Sequence, residues 1–189
     1  MHVQLRNLLF LFLLAFPFAQ ALADDYADTI KVFRGAGESG QFFNKSYGYA
    51  VFPTIGKGGL VVGGAHGTGR VYAKGAYVGD SSMTQITVGF QLGGQAYSQI
   101  IFFENKRAYD EFTGGNFEFG AQATAVAITA GASAQAGTTG PSATASGTQH
   151  VSKNIARYYR GMAVFTVAKG GLMYEASIGG QKFGYSPKK

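Results

Sequence analysis

The sequence contains no cysteine and no tryptophan, and only 14% of its 189 residues are charged. Without cysteine the chain can form neither a disulfide framework nor a cysteine-based zinc or iron–sulfur site. Charged residues make up about 25% of an average globular domain, so Ser, Thr, Gln, Asn and Gly must cover much of this surface. The 16 Phe and 11 Tyr supply enough apolar surface for a folded core, which argues against intrinsic disorder.

The N-terminus has the pattern of a secretory signal peptide. Arg6 precedes an apolar run from Leu8 to Phe18, and Ala21 to Ala23 provides the small residues of a cleavage site. The run is shorter than the roughly 20 residues that a membrane-spanning helix needs. We therefore expect removal of residues 1–23 and a single exported domain over residues 24–189. Such a domain would be periplasmic or secreted, and a peripheral position at the outer membrane is compatible with this prediction.

The mature chain carries a mild excess of positive charge. Without Arg6, one of the 16 basic residues, 15 basic residues face 10 acidic ones. This balance favours anionic partners in general and is too small to indicate nucleic acid, so we expect no nucleic-acid binding.

Local patterns predict two or three short helices. Tyr26, Ile30 and Phe33 recur at helical spacing behind Asp25, which is a suitable N-cap residue. The Gly-rich stretch from residue 35 should end this helix, and Asn105 is placed to cap a second one.

From Tyr47 onward the hydrophobic period changes to two. Residues from Ile86 to Leu92 alternate apolar with polar or small side chains, which predicts a strand whose apolar side faces the core. Tyr97 to Phe103 continues as a second strand. We predict a mainly β, α+β fold in which an antiparallel sheet forms a sandwich or a partly open barrel.

A short segment is repeated within the chain. Residues 50–60 recur, one residue shorter, as residues 163–172, and each copy combines an apolar strand, a Lys-Gly-Gly turn and another strand. Two such hairpins in one sheet would present Lys57 and Lys169 from comparable loops. Independent hairpins with common turn chemistry explain the match equally well.

A long stretch of the chain lacks charge altogether. No charged residue lies between Phe119 and Ser152, and alternating alanines change phase near Thr129. The pattern predicts a tightly packed hairpin with a flexible connection. Low charge and strand periodicity also permit a structural or adhesive protein that self-assembles through edge pairing, and a homo-oligomer.

The sequence shows no catalytic or metal-binding constellation. His66 and His150 have no second ligand at metal-binding spacing, and Ser39 lacks the second glycine of a nucleophile elbow. Residues 35–40 formally fit a dinucleotide-binding pattern but follow a predicted helix instead of a strand. We expect no enzymatic activity, no cofactor and no metal.

Basic residues beside glycines are the candidate ligand-binding groups. Exposed backbone amides in Gly-rich turns, together with a nearby cation, can hold a phosphate or carboxylate. Aromatic side chains that follow such turns are suited to a membrane interface. The candidates for binding a lipid headgroup are Lys57, Arg70, Lys74 and Lys169, and those for the membrane interface are Tyr72 and Tyr77.

Several Gly-rich motifs, in their order and spacing, resemble the SYLF domain, a lipid-binding family of bacteria and eukaryotes. The segments Gly48–Pro53 and Gly67–Tyr72 are similar to the opening of that domain, and Gln91–Gln95 and Lys169–Leu172 follow in the same order. The likeness extends over residues 26–185. It implies binding of phosphoinositides or other anionic phospholipids without enzymatic activity.

The resemblance also implies actin binding, which fungal members of the family perform. The predicted export of this chain argues against a cytoskeletal partner. The segment before Tyr47 is short and interrupted by glycine, whereas eukaryotic members carry an amphipathic membrane-binding helix there.

Taken together, the sequence favours an exported, β-rich module that binds anionic lipid headgroups at a membrane surface. A small outer-membrane β-barrel remains an alternative, because the chain is long enough for eight short strands.

Overall fold

The computed structural model describes residues 17–59, 62–88, 95–121, 123–128, 157–169 and 178–189. The helices are α1 (Pro17–Gly35), α2 (Gly37–Gly40), which runs into a 3₁₀ turn (Gln41–Asn44), and α3 (Lys106–Thr113). The strands are β1 (Gly48–Gly59), β2 (Val62–Ala73), β3 (Ala76–Val88), β4 (Gln95–Phe103), β5 (Phe117–Glu118), β6 (Val126–Ile128), β7 (Met162–Lys169) and β8 (Lys182–Pro187).

The eight strands form one curled sheet in the order β5-β8-β3-β2-β1-β4-β7-β6. All neighbouring strands are antiparallel except β6 and β7, which run parallel. The sheet curls into a half-barrel, and the fold is mostly β with three short helices. The predicted fold class is confirmed.

Each face of the sheet carries its own apolar core. On the inner face, Phe52 and Phe103 pack with Phe112 of α3. On the outer face, Phe102 and Phe165 pack with Phe33 of α1. Because the middle strands β1, β4 and β7 are covered on both sides, they consist mainly of continuous apolar residues.

The outer face of β2 and β3 is exposed where helix α1 does not cover it. Thr68, Ser82 and Thr84 are exposed, and they alternate with the buried Gly67 and Met83. This part of the sheet therefore shows the apolar-in, polar-out alternation of a half-solvated antiparallel sheet.

The helix predictions are partly confirmed. Helix α1 ends at Gly35 as expected, but Asp25 lies inside the helix, whose described part begins at Pro17. The predicted cap at Asp25 is therefore wrong: residues 18–24 include three alanines and no helix breaker, so the helix extends upstream of it. Asn105 does cap α3, since its Oδ1 accepts a hydrogen bond from the Ala108 amide at 3.1 Å.

The predicted strand around Ile86 exists, but the expected orientation of its side chains is wrong there. Ile86 is 80% exposed, whereas Gln85 is buried on the inner face. Gln85 tolerates burial because its Nε2 donates a hydrogen bond to the Gly179 carbonyl at 2.9 Å. The rest of the predicted segment, from residue 89 to Leu92, lies outside the described residues.

The two copies of the repeat do lie in one sheet, on either side of β4. Lys57 is opposite Gln95 and Lys169 is opposite Ala96, so both lysines lie at the same end of the sheet. The predicted Lys-Gly-Gly turn is wrong in the first copy, because Lys57, Gly58 and Gly59 continue β1 and pair with β2. The two glycines of the second copy and most of the uncharged stretch lie outside the described residues. Between Val51 and Thr54, β1 has a bulge that contains one more residue than the facing segment of β2. Because side chains alternate between the two faces of a strand, the bulge moves Lys57 to the opposite face of the sheet.

A buried polar cluster spans the inner core. Gln99 and Gln181 are fully buried, and their side-chain amides exchange hydrogen bonds of 2.9 and 3.1 Å. Gln181 Nε2 also donates to the Tyr97 hydroxyl at 3.1 Å. The cluster fixes the start of β8 against the middle of the sheet.

Candidate functional site

The hairpin turn between β2 and β3 holds the first candidate cation. Lys74 and Gly75 have positive φ angles of 50° and 83°. Two consecutive residues in this region form the turn that matches the twist of a β-hairpin, and glycine and asparagine are the usual occupants. Lys74 accepts this conformation while its amide donates to the Tyr47 carbonyl at 3.0 Å, and its side chain is exposed.

Arg70 lies on the outer face of β2, between two tyrosine rings. Its guanidinium carbon is 4.3 Å from the ring centroid of Tyr26 on α1 and 5.3 Å from that of Tyr77 on β3. Cation–π contacts of this kind fix the plane of the guanidinium and leave hydrogen-bond donors at its edge.

Asp80 is the cross-strand neighbour of Arg70. The Asp80 carboxylate lies near enough to the Tyr77 hydroxyl to raise its pKa. Among the described residues, no ion pair within 4 Å joins Arg70 to a carboxylate. The charge of Arg70 is therefore available to an anionic ligand, although Asp80 weakens the positive potential around it.

Tyrosines form a continuous row next to these cations. The rings of Tyr49 and Tyr72 stack with centroids 5.0 Å apart, and Tyr72 is 5.9 Å from Tyr77. Lys188 places its Nζ 5.1 Å from the centroid of the Tyr77 ring, and its amide donates to the Val78 carbonyl at 2.9 Å. We call this arrangement the basic–aromatic corner; its residues are Arg70, Tyr72, Lys74, Tyr77 and Lys188.

A cleft of about 540 Å³ opens beside Arg70. Hydroxyl groups of Thr68, Ser82 and Ser186 line it, together with Tyr26. The Asp80 carboxylate also lines the cleft. The guanidinium edge and the hydroxyls suit a ligand that offers phosphate oxygens together with hydrogen-bond donors that Asp80 can accept.

Tyr26 and Tyr77 remain neutral over the physiological range. Burial raises the pKa of Tyr26, and its hydrogen bond to Thr68 and the nearby Arg70 only partly offset this effect. Desolvation and the Asp80 carboxylate raise the pKa of Tyr77. These hydroxyls can therefore donate hydrogen bonds without adding negative charge that would repel an anion.

The structure does not bring the four predicted cations into one patch. Arg70 and Lys74 lie at the basic–aromatic corner with Tyr72 and Tyr77. Lys57 lies nine residues along β1 from the strand end that adjoins Lys74, which corresponds to roughly 30 Å.

Lys57 and Lys169 also face opposite sides of the sheet. Lys57 pairs with Ala65, which belongs to the inner core, whereas Lys169 follows the outward-facing residues of β7. Lys169 Nζ donates to Thr54 Oγ1 at 2.8 Å and lies 3.7 Å from Asp25 Oδ1. The four candidate cations therefore do not form one patch, because the β1 bulge and the strand order separate these side chains.

Two members of the site were not predicted from the sequence. The sequence pattern places Tyr26 only on a helix face and gives Lys188 no role. The α1 packing and the β3–β8 pairing place them beside Arg70 and Tyr77. The Lys188-Lys189 pair is the one local signal that could have suggested a basic group at this position.

Comparison with known proteins identifies the class to which the chain belongs. Residues 84–185, just over half of the chain, match the model of the Ysc84 family, described as "Las17-binding protein actin regulator". The chain therefore belongs to the Ysc84 family, whose domain is the SYLF domain, and the resemblance seen in the sequence is confirmed. At the level of the family, this is a lipid-binding, membrane-associated domain.

A bacterial relative agrees with this assignment. The chain is 28% identical over 171 residues to Beta cell expansion factor A of Aeromonas veronii. The match covers 87% of this chain and 56% of that protein, so the chain spans about half the length of this relative.

In the part of the chain that the structure describes, no helix is both long enough and apolar enough to cross a bilayer.

Proposed function

We propose that this SYLF domain is exported and binds anionic phospholipids at a membrane surface, without enzymatic activity, through its basic–aromatic corner. The observation that carries the proposal is the environment of Arg70: two tyrosine rings hold its guanidinium, and no carboxylate of the described residues lies within ion-pair distance of it. A guanidinium held in this way can donate two parallel hydrogen bonds to one phosphate.

The other residues of the corner have complementary roles. Lys74 at the exposed turn, with its Nζ 5.6 Å from the centroid of the Tyr47 ring, and Lys188 beside Tyr77 add positive charge. Tyr72 and Tyr77 are half-buried, with an apolar ring and a polar hydroxyl, which is the character of residues at a membrane–water interface. The relative from Aeromonas veronii is named for an effect on cells, and its name specifies no ligand.

Three cations within one small area also favour headgroups that carry more than one phosphate. We therefore include phosphoinositides in the proposed ligand class. Vesicles that contain either phosphatidylglycerol or a phosphoinositide, at equal total charge, would distinguish recognition of a headgroup from attraction to charge alone.

Cosedimentation with vesicles tests the proposal. The purified protein should bind vesicles containing phosphatidylglycerol at 0.1 M salt, should bind pure phosphatidylcholine vesicles far less, and should dissociate in 1 M salt. The Debye length falls from about 10 Å to about 3 Å over that range. Equal binding to both vesicle types would contradict an electrostatic mechanism.

Two charge-matched double variants locate the site. Arg70→Gln with Lys74→Gln removes two positive charges from the corner. Lys57→Gln with Lys169→Gln removes two from the opposite end of the sheet. Each cation near an anionic surface contributes about 1 kcal/mol, so the first variant should bind roughly 30-fold more weakly. The second should bind nearly as well as the unmodified protein, and equal losses in the two variants would remove the corner from the account.

A further inference from the structure

Two exposed aliphatic side chains lie together at the far end of the outer face. Ile86 of β3 is 80% exposed and Val62 of β2 is 65% exposed. Ile86 is paired with Gly64, two residues beyond Val62 along β2. Diagonal neighbours in an antiparallel pair are close enough for their side chains to form one small apolar surface.

The register and the glycines create this surface. Gly64 has no side chain that could cover Ile86, and on the other side Gly64 is paired with Gly58. A Cβ added at Gly58 would meet nothing within 4 Å. Ile86 therefore projects from a strip of backbone that no described side chain covers, while the polar Gln85 beside it is turned inward.

The aliphatic pair shares its face with Arg70 of the basic–aromatic corner. Arg70 is opposite Asp80, and Ile86 is six residues further along β3, or roughly 20 Å away. Between them the exposed outer side chains of β2 and β3 are polar, namely Thr68, His66, Ser82 and Thr84. Lys182 of β8 adds a cation opposite Thr84. Lys182 lies 3.5 Å from Glu118, so the positive excess on this face is modest.

We infer that the outer face of β2, β3 and β8 lies against an anionic phospholipid bilayer and that Val62 and Ile86 enter its apolar layer. This inference rests on the proposed function and specifies the orientation of the bound domain. Arg70 and Lys182 then lie at the level of the phosphates, while the hydroxyls between them face the headgroups.

The size of the aliphatic surface favours a bilayer over a protein partner. A stable protein interface buries roughly 800 Å² on each partner with complementary packing, which two side chains cannot provide. A bilayer needs no complementary shape, because any aliphatic group that reaches the hydrocarbon region gains the free energy of leaving water.

The absence of cysteine permits a direct test. Ile86→Cys can be labelled with a fluorophore whose emission depends on polarity, and Tyr159→Cys provides a control at an exposed residue beside β7. With phosphatidylglycerol vesicles, the label at position 86 should shift to shorter wavelength and be quenched by spin labels on the acyl chains. The label at position 159 should do neither.

A second pair of variants measures the contribution of the aliphatic groups. Val62→Thr and Ile86→Thr keep the β-branched shape that strands favour and remove apolar surface at exposed positions, so folding should be preserved. Together they should weaken cosedimentation with phosphatidylglycerol vesicles about tenfold.

The outcomes separate this inference from the proposed function. Vesicle binding with an unshifted, unquenched label at position 86 would overturn the orientation and leave the corner as the binding site. No vesicle binding by the unmodified protein would overturn both. A dimer in lipid-free solution that Ile86→Thr dissociates would assign the aliphatic pair to a second copy and overturn the inference.

Discussion

The buried pair of Gln99 and Gln181 should act as a single energetic unit. Each side-chain amide both donates to and accepts from the other, so replacing one residue leaves two polar atoms of its partner without those hydrogen bonds. Gln181 immediately precedes β8, the strand that leads to Lys188 at the basic–aromatic corner. Disrupting the pair should therefore affect both the stability of the domain and the order of the site.

The magnitude follows from the two hydrogen bonds. A buried donor or acceptor left unsatisfied costs about 1–3 kcal/mol, so Gln181→Met should lower the free energy of unfolding by about 4 kcal/mol. Single domains have a total stability of about 5–15 kcal/mol, which makes this a large fraction. Replacing both residues with Met removes both sets of polar atoms and keeps similar volumes, so the double variant should be more stable than either single one.

Urea unfolding followed by circular dichroism measures all four proteins of this double-mutant cycle. We predict a strongly favourable coupling energy between the two positions. Single variants that lose less than about 1 kcal/mol, or a double variant that loses the sum of the two single losses, would refute this prediction.

Three further predictions concern residues outside the binding site. Thr166→Val should leave the protein equally stable, or stabilise it by up to about 1 kcal/mol, in urea unfolding. The reason is that the buried Thr166 hydroxyl has no hydrogen-bond partner among the described residues. A clear loss of stability would show that the hydroxyl does have a partner. Asn105→Ala should cost about 1 kcal/mol by the same measurement, since it removes the cap of α3, whereas Asn105→Asp should retain the cap; equal losses would argue against capping. Burial raises the pKa of Tyr97 to about 12 despite the hydrogen bond from Gln181. The free energy of unfolding should therefore fall by about 2–3 kcal/mol between pH 10 and pH 12. Tyr97→Phe should remove this pH dependence, and a variant with an unchanged alkaline slope would contradict the prediction.

The sign of the alkaline effect follows from proton binding. The pKa of Tyr97 in the folded protein lies above its ordinary value of 10, so between the two values the folded state binds more protons than the unfolded state. The stabilisation is therefore complete below pH 10 and is lost as the pH rises through 12.

Local signals predicted the features that depend on local chemistry. The cap at Asn105 and the end of α1 at Gly35 each follow from the side chain and backbone freedom of one residue. The two-residue period correctly indicated strands at the end of β3 and in β4, but it assigned Ile86 to the wrong face. The order of the Gly-rich motifs was sufficient to recognise the family, because it reflects the whole chain instead of any single segment.

Features that depend on strand register were not predictable in the same way. Alternation of apolar and polar residues gives the period of a strand. It does not show which side faces the core when a glutamine is buried and its amide is hydrogen-bonded. Gln85 finds that partner at Gly179, almost one hundred residues away in the chain. The β1 bulge reverses the face of every later residue of the strand, which is why Lys57 and Lys169 diverge.

The environment of Arg70 also arises only in the folded protein. Tyr26 lies on a helix and Tyr77 on the next strand, and each contacts the guanidinium through tertiary packing. The sequence therefore identified Arg70 by its neighbouring glycines but could not show which groups hold it. For the same reason, it could not separate the cations that share a site from those at the opposite end of the sheet.

The most direct test of lipid binding through Arg70 is the NMR signal of its side-chain Nε–H group during a titration with short-chain phosphatidylglycerol. If the guanidinium holds a phosphate, this signal should shift progressively and saturate with the binding curve. The signal of Arg107, which is already paired with Glu111 at 3.1 Å, should change little. A protein that binds the lipid while the Arg70 signal stays unchanged would contradict the account.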